Sequence, residues 1–136
     1  MTTTAVALLT FASWTLILVV SLGLLRSATV MAGNRTANSF SASGEDMPGL
    51  GQRLTRAHAN CYEFLPVAGV VMLYAIGTDQ TALTDGLAYA FIGARIAQSL
   101  VHIASTSNIM VLVRFGFFGV QIGILIFWLL KLFHHI

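Results

Sequence analysis

Arg56, Asn60 and Glu63, in the segment RAHANCYEFLPVAGVVMLY, place a cation, an amide and a carboxylate within two turns of one another. Spacings of four and three residues put all three on one face of a helix, and Arg53 extends the stripe backward. Two chemistries suit such a face. Arg56 and Glu63 can pair across two turns and lock neighbouring helices together, or the stripe can receive a polar ligand. In either case a buried carboxylate requires a cation. Pro66 follows closely; it removes the backbone bond to Tyr62 and should kink the helix.

A second stripe, Arg95, Gln98, Ser99 and His102, interrupts the apolar run FIGARIAQSLVH. Arg95 lies too far from a helix end to reach water along its own stem. It must therefore face protein, either Glu63 or a ligand carboxylate. His102 reads as a hydrogen-bonded packing residue more readily than as a proton carrier. Arg114 is either a membrane-surface anchor or a cation that stabilises a thiolate or carboxylate, and Arg26 carries the same two readings. Cys61 is the only cysteine. It reads as a small buried hydrophobe, and with one thiol and no second His or carboxylate at ligand spacing, no metal site is expected. No Ser-His-Asp order, P-loop or dinucleotide glycine pattern is present.

The elements that must position these residues are membrane helices. Of 136 residues, 57% are hydrophobic and 9% charged, against about 25% charged in a soluble domain. The isoelectric point is near 9.1, but the net charge is only +2. With no Lys/Arg cluster, a nucleic-acid partner is excluded. Four apolar segments, Ala5 to Leu25, His58 to Ile76, Ala82 to Ala104 and Met110 to Phe133, are each long enough to cross a bilayer core of about 30 Å. Continuous rather than alternating runs make them helices. The expected fold is an all-α four-helix membrane bundle, residues 1–136 forming one domain. The first segment lacks a basic leading region and reads as a retained helix rather than a secretory signal.

The first link is long and polar, with a turn expected at Pro48 and Gly49. The link GTDQTALTD is short and makes the second and third helices antiparallel. Arg26, Arg35, Arg53, Arg56 and Arg114 gather at one end of the bundle, whereas Lys131, Asp79 and Asp85 lie at the other. The positive-inside rule then puts the first and third links in the cytoplasm, both termini outside, and the polar stripe near the cytoplasmic surface. Trp128 is expected as an interface anchor. Gly116, Gly119 and Gly123 form a small-residue ridge suited to close helix packing or oligomer contact.

On these residues the chain resembles the MAPEG family, the membrane-associated proteins in eicosanoid and glutathione metabolism. Arg56-x-x-x-Asn60-x-x-Glu63-x-x-Pro66 has the family's spacing, and RAHAN is especially similar to its microsomal glutathione transferase branch. Gly93 to Ile96, GARI, resembles the third-helix arginine motif, and NIMVLVRF resembles bacterial members. Two departures stand out: Gln98 and His102 occupy positions where relatives often carry tyrosines, and Phe64 rather than tyrosine follows Glu63.

The resemblance implies a homotrimer in the bacterial inner membrane. Glutathione would be bound as co-substrate between subunits near the cytoplasmic face. Arg53, Arg56, Asn60, Glu63, Arg95 and His102 would bind it, and Arg114 would stabilise the thiolate. Glutathione's two carboxylates and one ammonium complement such a set, and a thiol of pKa near 8.5 ionises at neutral pH only beside positive charge. The implied activity is a glutathione-dependent transferase or peroxidase acting on lipophilic electrophiles delivered from the lipid. The alternative is a non-catalytic glutathione- or lipid-binding membrane scaffold.

Overall fold

The computed structural model describes residues 1–33, 35–36, 38–40, 49–105 and 107–135. Within them are four long helices: α1 (Thr3–Met31), α2 (Leu50–Gly77), α3 (Asp85–Ala104) and α4 (Asn108–His134), with a single 3-10 turn, Thr81–Leu83, leading into α3. All four are long and apolar enough to cross a membrane. The chain is an all-helical, multi-pass integral membrane protein whose outer faces contact lipid.

Three of the helices outrun the apolar segments that announce them. Helix α2 begins eight residues before His58, α1 runs six past Leu25, and α4 starts two before Met110. Hydropathy measures the bilayer, not the helix. Backbone N–H groups beyond the hydrocarbon still bond to the carbonyl four residues back, so polar residues such as Arg26 and Arg53 continue the coil. Helix α3 instead starts three residues later than expected, because Thr81–Leu83 is wound as the 3-10 turn. Thr2 caps α1 by accepting from the Ala5 N–H at 3.1 Å, and Ser107 caps α4 by accepting from the Met110 N–H at 3.3 Å. Gly49, at φ +76°, opens α2 from the left-handed region that favours glycine. Pro48, part of the expected turn, lies outside the described residues. Helix α2 passes through Pro66 unbroken.

Helix α1 packs on α2 and α3, while α4 packs on α3 and only lightly on α2. The core is built on Phe91, which meets Trp128 at 5.4 Å, Phe64 at 6.0 Å and Phe11 at 6.1 Å between ring centroids. Trp128 is fully buried there. The interface-anchor expectation is thus corrected: Gln121, Ile124, Leu125, Trp128 and Leu132 form the inward stripe of α4 at three-to-four spacing, and the indole follows that stripe inward. Between Asn108 and Val120 no α4 residue is buried. Gly116, Gly119 and Gly123 have open space where a side chain would stand, so within the chain they serve no close helix approach.

One end of the bundle is closed by a hydrogen-bonded lock around a carboxylate. Asp85, in the first turn of α3, accepts from the Thr4 backbone N–H at 2.8 Å and from the Thr4 hydroxyl at 2.6 Å. The Thr4 and Thr84 hydroxyls are 2.5 Å apart. The lock satisfies N-terminal donors of α1 and sets a carboxylate at two helix N-termini, where the macrodipoles favour it.

Candidate functional site

The opposite end, where α2 and α4 begin and α3 finishes, is open and cationic. Gln52, Arg53, Arg56, His102, Val111 and Arg114 line a cavity of about 350 Å³. A second cavity of about 230 Å³ is lined by Asn60, Gln98, Arg114, Phe115 and Phe118. Arg114 belongs to both walls. Register explains the pairing: the α2 stripe Arg53, Arg56, Asn60 faces the α4 stripe Val111, Arg114, Phe115, Phe118, and His102 enters from the last turn of α3. Neither wall carries a carboxylate. Three guanidinium groups around one recess, without a counter-charge, make a site whose field favours an anion.

The cations differ in how firmly they are held. Arg53 donates through Nε to the Ile103 carbonyl at 2.6 Å. That carbonyl is one of the last in α3, where no helical N–H is left to bond it and where the dipole favours a cation. Arg53 therefore ties α2 to α3 as well as lining the cavity. Arg56 is exposed and Arg114 half-buried. Arg26 belongs elsewhere: with Asn38 and Phe40 it lines a separate recess of about 600 Å³, its guanidinium 5.5 Å from the Phe40 ring centre.

Arg95 is completely buried near the middle of α3, and its surroundings correct one of the two expected partners: Glu63 is not beside it. Nε donates to Gln121 Oε1 at 2.7 Å and Nη1 to Asn60 Oδ1 at 2.6 Å. Nη1 also lies 4.0 Å from Cys61 Sγ. The guanidinium sits 4.9 Å from the Phe64 ring centre and 5.5 Å from that of Phe11. Amide dipoles and aromatic faces stand where a protein counter-ion would, each desolvated aromatic contact contributing about 2 kcal/mol, while Nη2 is buried with no hydrogen-bond partner among the described residues. Cys61 is buried against Ser99, 3.3 Å from its hydroxyl.

The amides form a chain. Gln121 Nε2 donates to Gln98 Oε1 at 2.7 Å and to the Phe117 carbonyl at 3.0 Å, and Gln98 Nε2 approaches Asn60 Oδ1 at 3.5 Å. Gln121, fully buried, belongs to neither polar stripe of the sequence. Its signal was available: it is the one polar residue apart from Trp128 between Arg114 and Lys131, in the middle of an apolar helix.

Glu63 takes a different place from its companions. It is exposed on the outer face of α2, near that helix's midpoint, and lines neither cavity. The described residues include no ion pair between it and Arg56 or Arg95. The internal lock is absent because two full turns separate Arg56 from Glu63, about 10 Å along the axis. The structure thus brings Arg53, Arg56, Asn60, His102 and Arg114 around adjoining cavities. It sets Arg95 behind Asn60 and leaves Glu63 outside.

The sequence profile of the MAPEG family matches residues 3–134, nearly the whole chain. No curated protein and no solved structure matches it.

Proposed function

The chain belongs to the MAPEG family, and from that premise we propose that it is a glutathione-dependent transferase or peroxidase acting on lipophilic electrophiles. Members of the family generally use glutathione as a substrate and serve as membrane transferases and peroxidases or in eicosanoid metabolism. The observation that carries the reading is the pair of cavities sharing Arg114. The larger, between Arg53, Arg56 and His102, suits the tripeptide's carboxylates. The smaller offers Phe115 and Phe118 to an apolar partner.

Arg114 stands where the two substrates would meet. Its charge lowers the energy of a thiolate relative to the thiol. The thiol proton leaves to water, the sulfur forms a bond to the electrophilic carbon, and the leaving group departs with its electron pair. Lipophilic substrates enter from the bilayer, and glutathione enters from the aqueous side. The positive-inside rule assigns that side to the cytoplasm.

Glu63 supports an assembly. An ionisable carboxylate on the outer face of a membrane helix is costly against lipid, by several kcal/mol. A neighbouring copy that covers this face would remove the cost and bring Glu63 toward a ligand ammonium, in keeping with a homotrimer that binds glutathione between subunits.

The test is conjugation of glutathione with a chlorodinitrobenzene by the purified full chain, followed with the ultraviolet absorbance of the thiolate on adding glutathione. Conjugation above the protein-free rate together with a thiolate signal is expected. Neither signal, despite glutathione binding, would leave the scaffold reading in its place.

A further inference from the structure

We propose that Arg95 is a positioning residue for the ligand at the smaller cavity: without touching the ligand, it turns the Asn60 and Gln98 amides so that N–H groups face the cavity. The inference rests on the glutathione reading and deepens it.

The reasoning starts from what each group can do. A guanidinium only donates, whereas a carboxamide donates from one end and accepts at the other. Arg95 Nη1 is 2.6 Å from one end of Asn60 and Nε is 2.7 Å from one end of Gln121, so both of those ends must be oxygen. The Gln121 nitrogen is then committed to the Phe117 carbonyl and to Gln98, whose near end must be oxygen in turn. Gln98 consequently turns its nitrogen toward Asn60 Oδ1 and the cavity. Asn60 Oδ1 is occupied from behind, and no described residue accepts from Asn60 Nδ2. One buried cation thus fixes the sense of three amides on three helices.

The consequence is a wall of one polarity. Asn60, Gln98 and Arg114 all present donors to the cavity, beside two phenylalanines. Such a wall holds a ligand by its acceptors: a peptide carbonyl, a carboxylate or a thiolate sulfur. A group that can only donate, such as an ammonium, finds no partner there. This accounts for an arginine kept at membrane depth with no anion beside it, where a lipophilic residue would be less costly. Its value lies in the asymmetry it imposes on neighbours that would otherwise be free to turn over.

The experiment is a mutant cycle on glutathione affinity, measured by titration calorimetry with the detergent-solubilised full chain: wild type, Arg95→Gln, the paired variant Asn60→Ala/Gln98→Ala, and all three substitutions together. Glutamine can accept as well as donate, so Arg95→Gln lets Asn60 turn over and, through Gln121, Gln98 as well. About a tenfold loss of affinity is expected. If Arg95 acts through these two amides, Arg95→Gln has little further effect in the Asn60→Ala/Gln98→Ala background. Additive losses, meaning a direct contact, or an unchanged affinity in Arg95→Gln, would overturn the proposal.

Arg95→Lys keeps a donor-only cation and is expected to bind within about threefold of wild type. Should Arg95→Gln fail to fold, the lysine variant decides: folded, with retained affinity it supports the proposal, and with a tenfold loss it overturns it. Wild type that binds no glutathione would instead refute the functional reading, a result distinct from any of these.

Discussion

At one end of the bundle Asp85 accepts from two groups of Thr4, and the Thr84 hydroxyl completes the lock. At the other end Arg53, Arg56, His102 and Arg114 surround a recess with no carboxylate on its wall. Both ends must deal with the unpaired backbone groups of helix termini and with charge at a membrane boundary. The first is closed by a carboxylate that donors of its own chain complete. The second takes up one helix-end carbonyl through Arg53 and leaves the remaining cations facing open space. A group satisfied by its own chain stabilises the fold, whereas a group left without a counter-charge is available to something from outside. On the proposed function, stability and binding are separated by the thickness of a membrane, and substitutions at the two ends should have different consequences.

The largest expected effect is at the cationic end. Arg114→Ala should lower the conjugation rate at saturating glutathione by about a hundredfold or more, as loss of a charge that stabilises the reacting anion does, and abolish the thiolate absorbance. The melting temperature should stay near that of wild type. Equal losses of melting temperature and rate would break the contrast. At the opposite end, Asp85→Ala removes the acceptor for two Thr4 donors and should destabilise the bundle by about 2 kcal/mol. Thermal melting in detergent checks this, and the rate per folded molecule should be unchanged.

Arg53→Ala sharpens the comparison because Arg53 does both kinds of work. It should cost about 1 kcal/mol of stability through the lost Ile103 contact and raise the KM for glutathione a few-fold, with kcat nearly constant. Lys131→Met should do least. Its ammonium lies 5.1 Å from the Phe127 ring on an exposed surface, so both melting and kinetics should stay within about 0.5 kcal/mol of wild type.

Much of this division was written in the order of residues. Four apolar runs announce four spans, and the crowding of arginines beside the first and third links announces the cationic end. The second-helix stripe also lay in plain view, because spacings of three and four survive any tilt of the helix. What pairs with what was not legible. A lone arginine in an apolar run signals that Arg95 needs a polar partner but not which one; the fold surrounds it with amides and rings contributed by α1, α2 and α4. Gln121 shows the difficulty most clearly. Its isolation in an apolar helix marks it as functional or structural, yet only the packing of α4 on α3 shows that it meets Arg95 and Gln98. Trp128 misled for a related reason: an aromatic near a helix end suits a membrane boundary by composition, whereas the rotation of the helix turned it inward. Local pattern determines which residues share a face. Which faces meet depends on the rotation of each helix about its own axis, and the apolar runs of α1 and α4 leave that angle open.

The absence of buried residues from the first half of α4 has a mechanical consequence. In water, a helical stretch with so little packing would fray. Within hydrocarbon that route is closed, because each backbone N–H or C=O released from its partner costs several kcal/mol. Where no neighbouring copy holds it, the half-helix would yield by tilting as a stiff rod, pivoting where burial begins. That pivot is Gln121, the first buried residue of α4, and Arg114 rides about two turns out along the arm. The same glutamine is bonded to Arg95, so any tilt that carries Arg114 toward or away from the recess also pulls on the amides that face it.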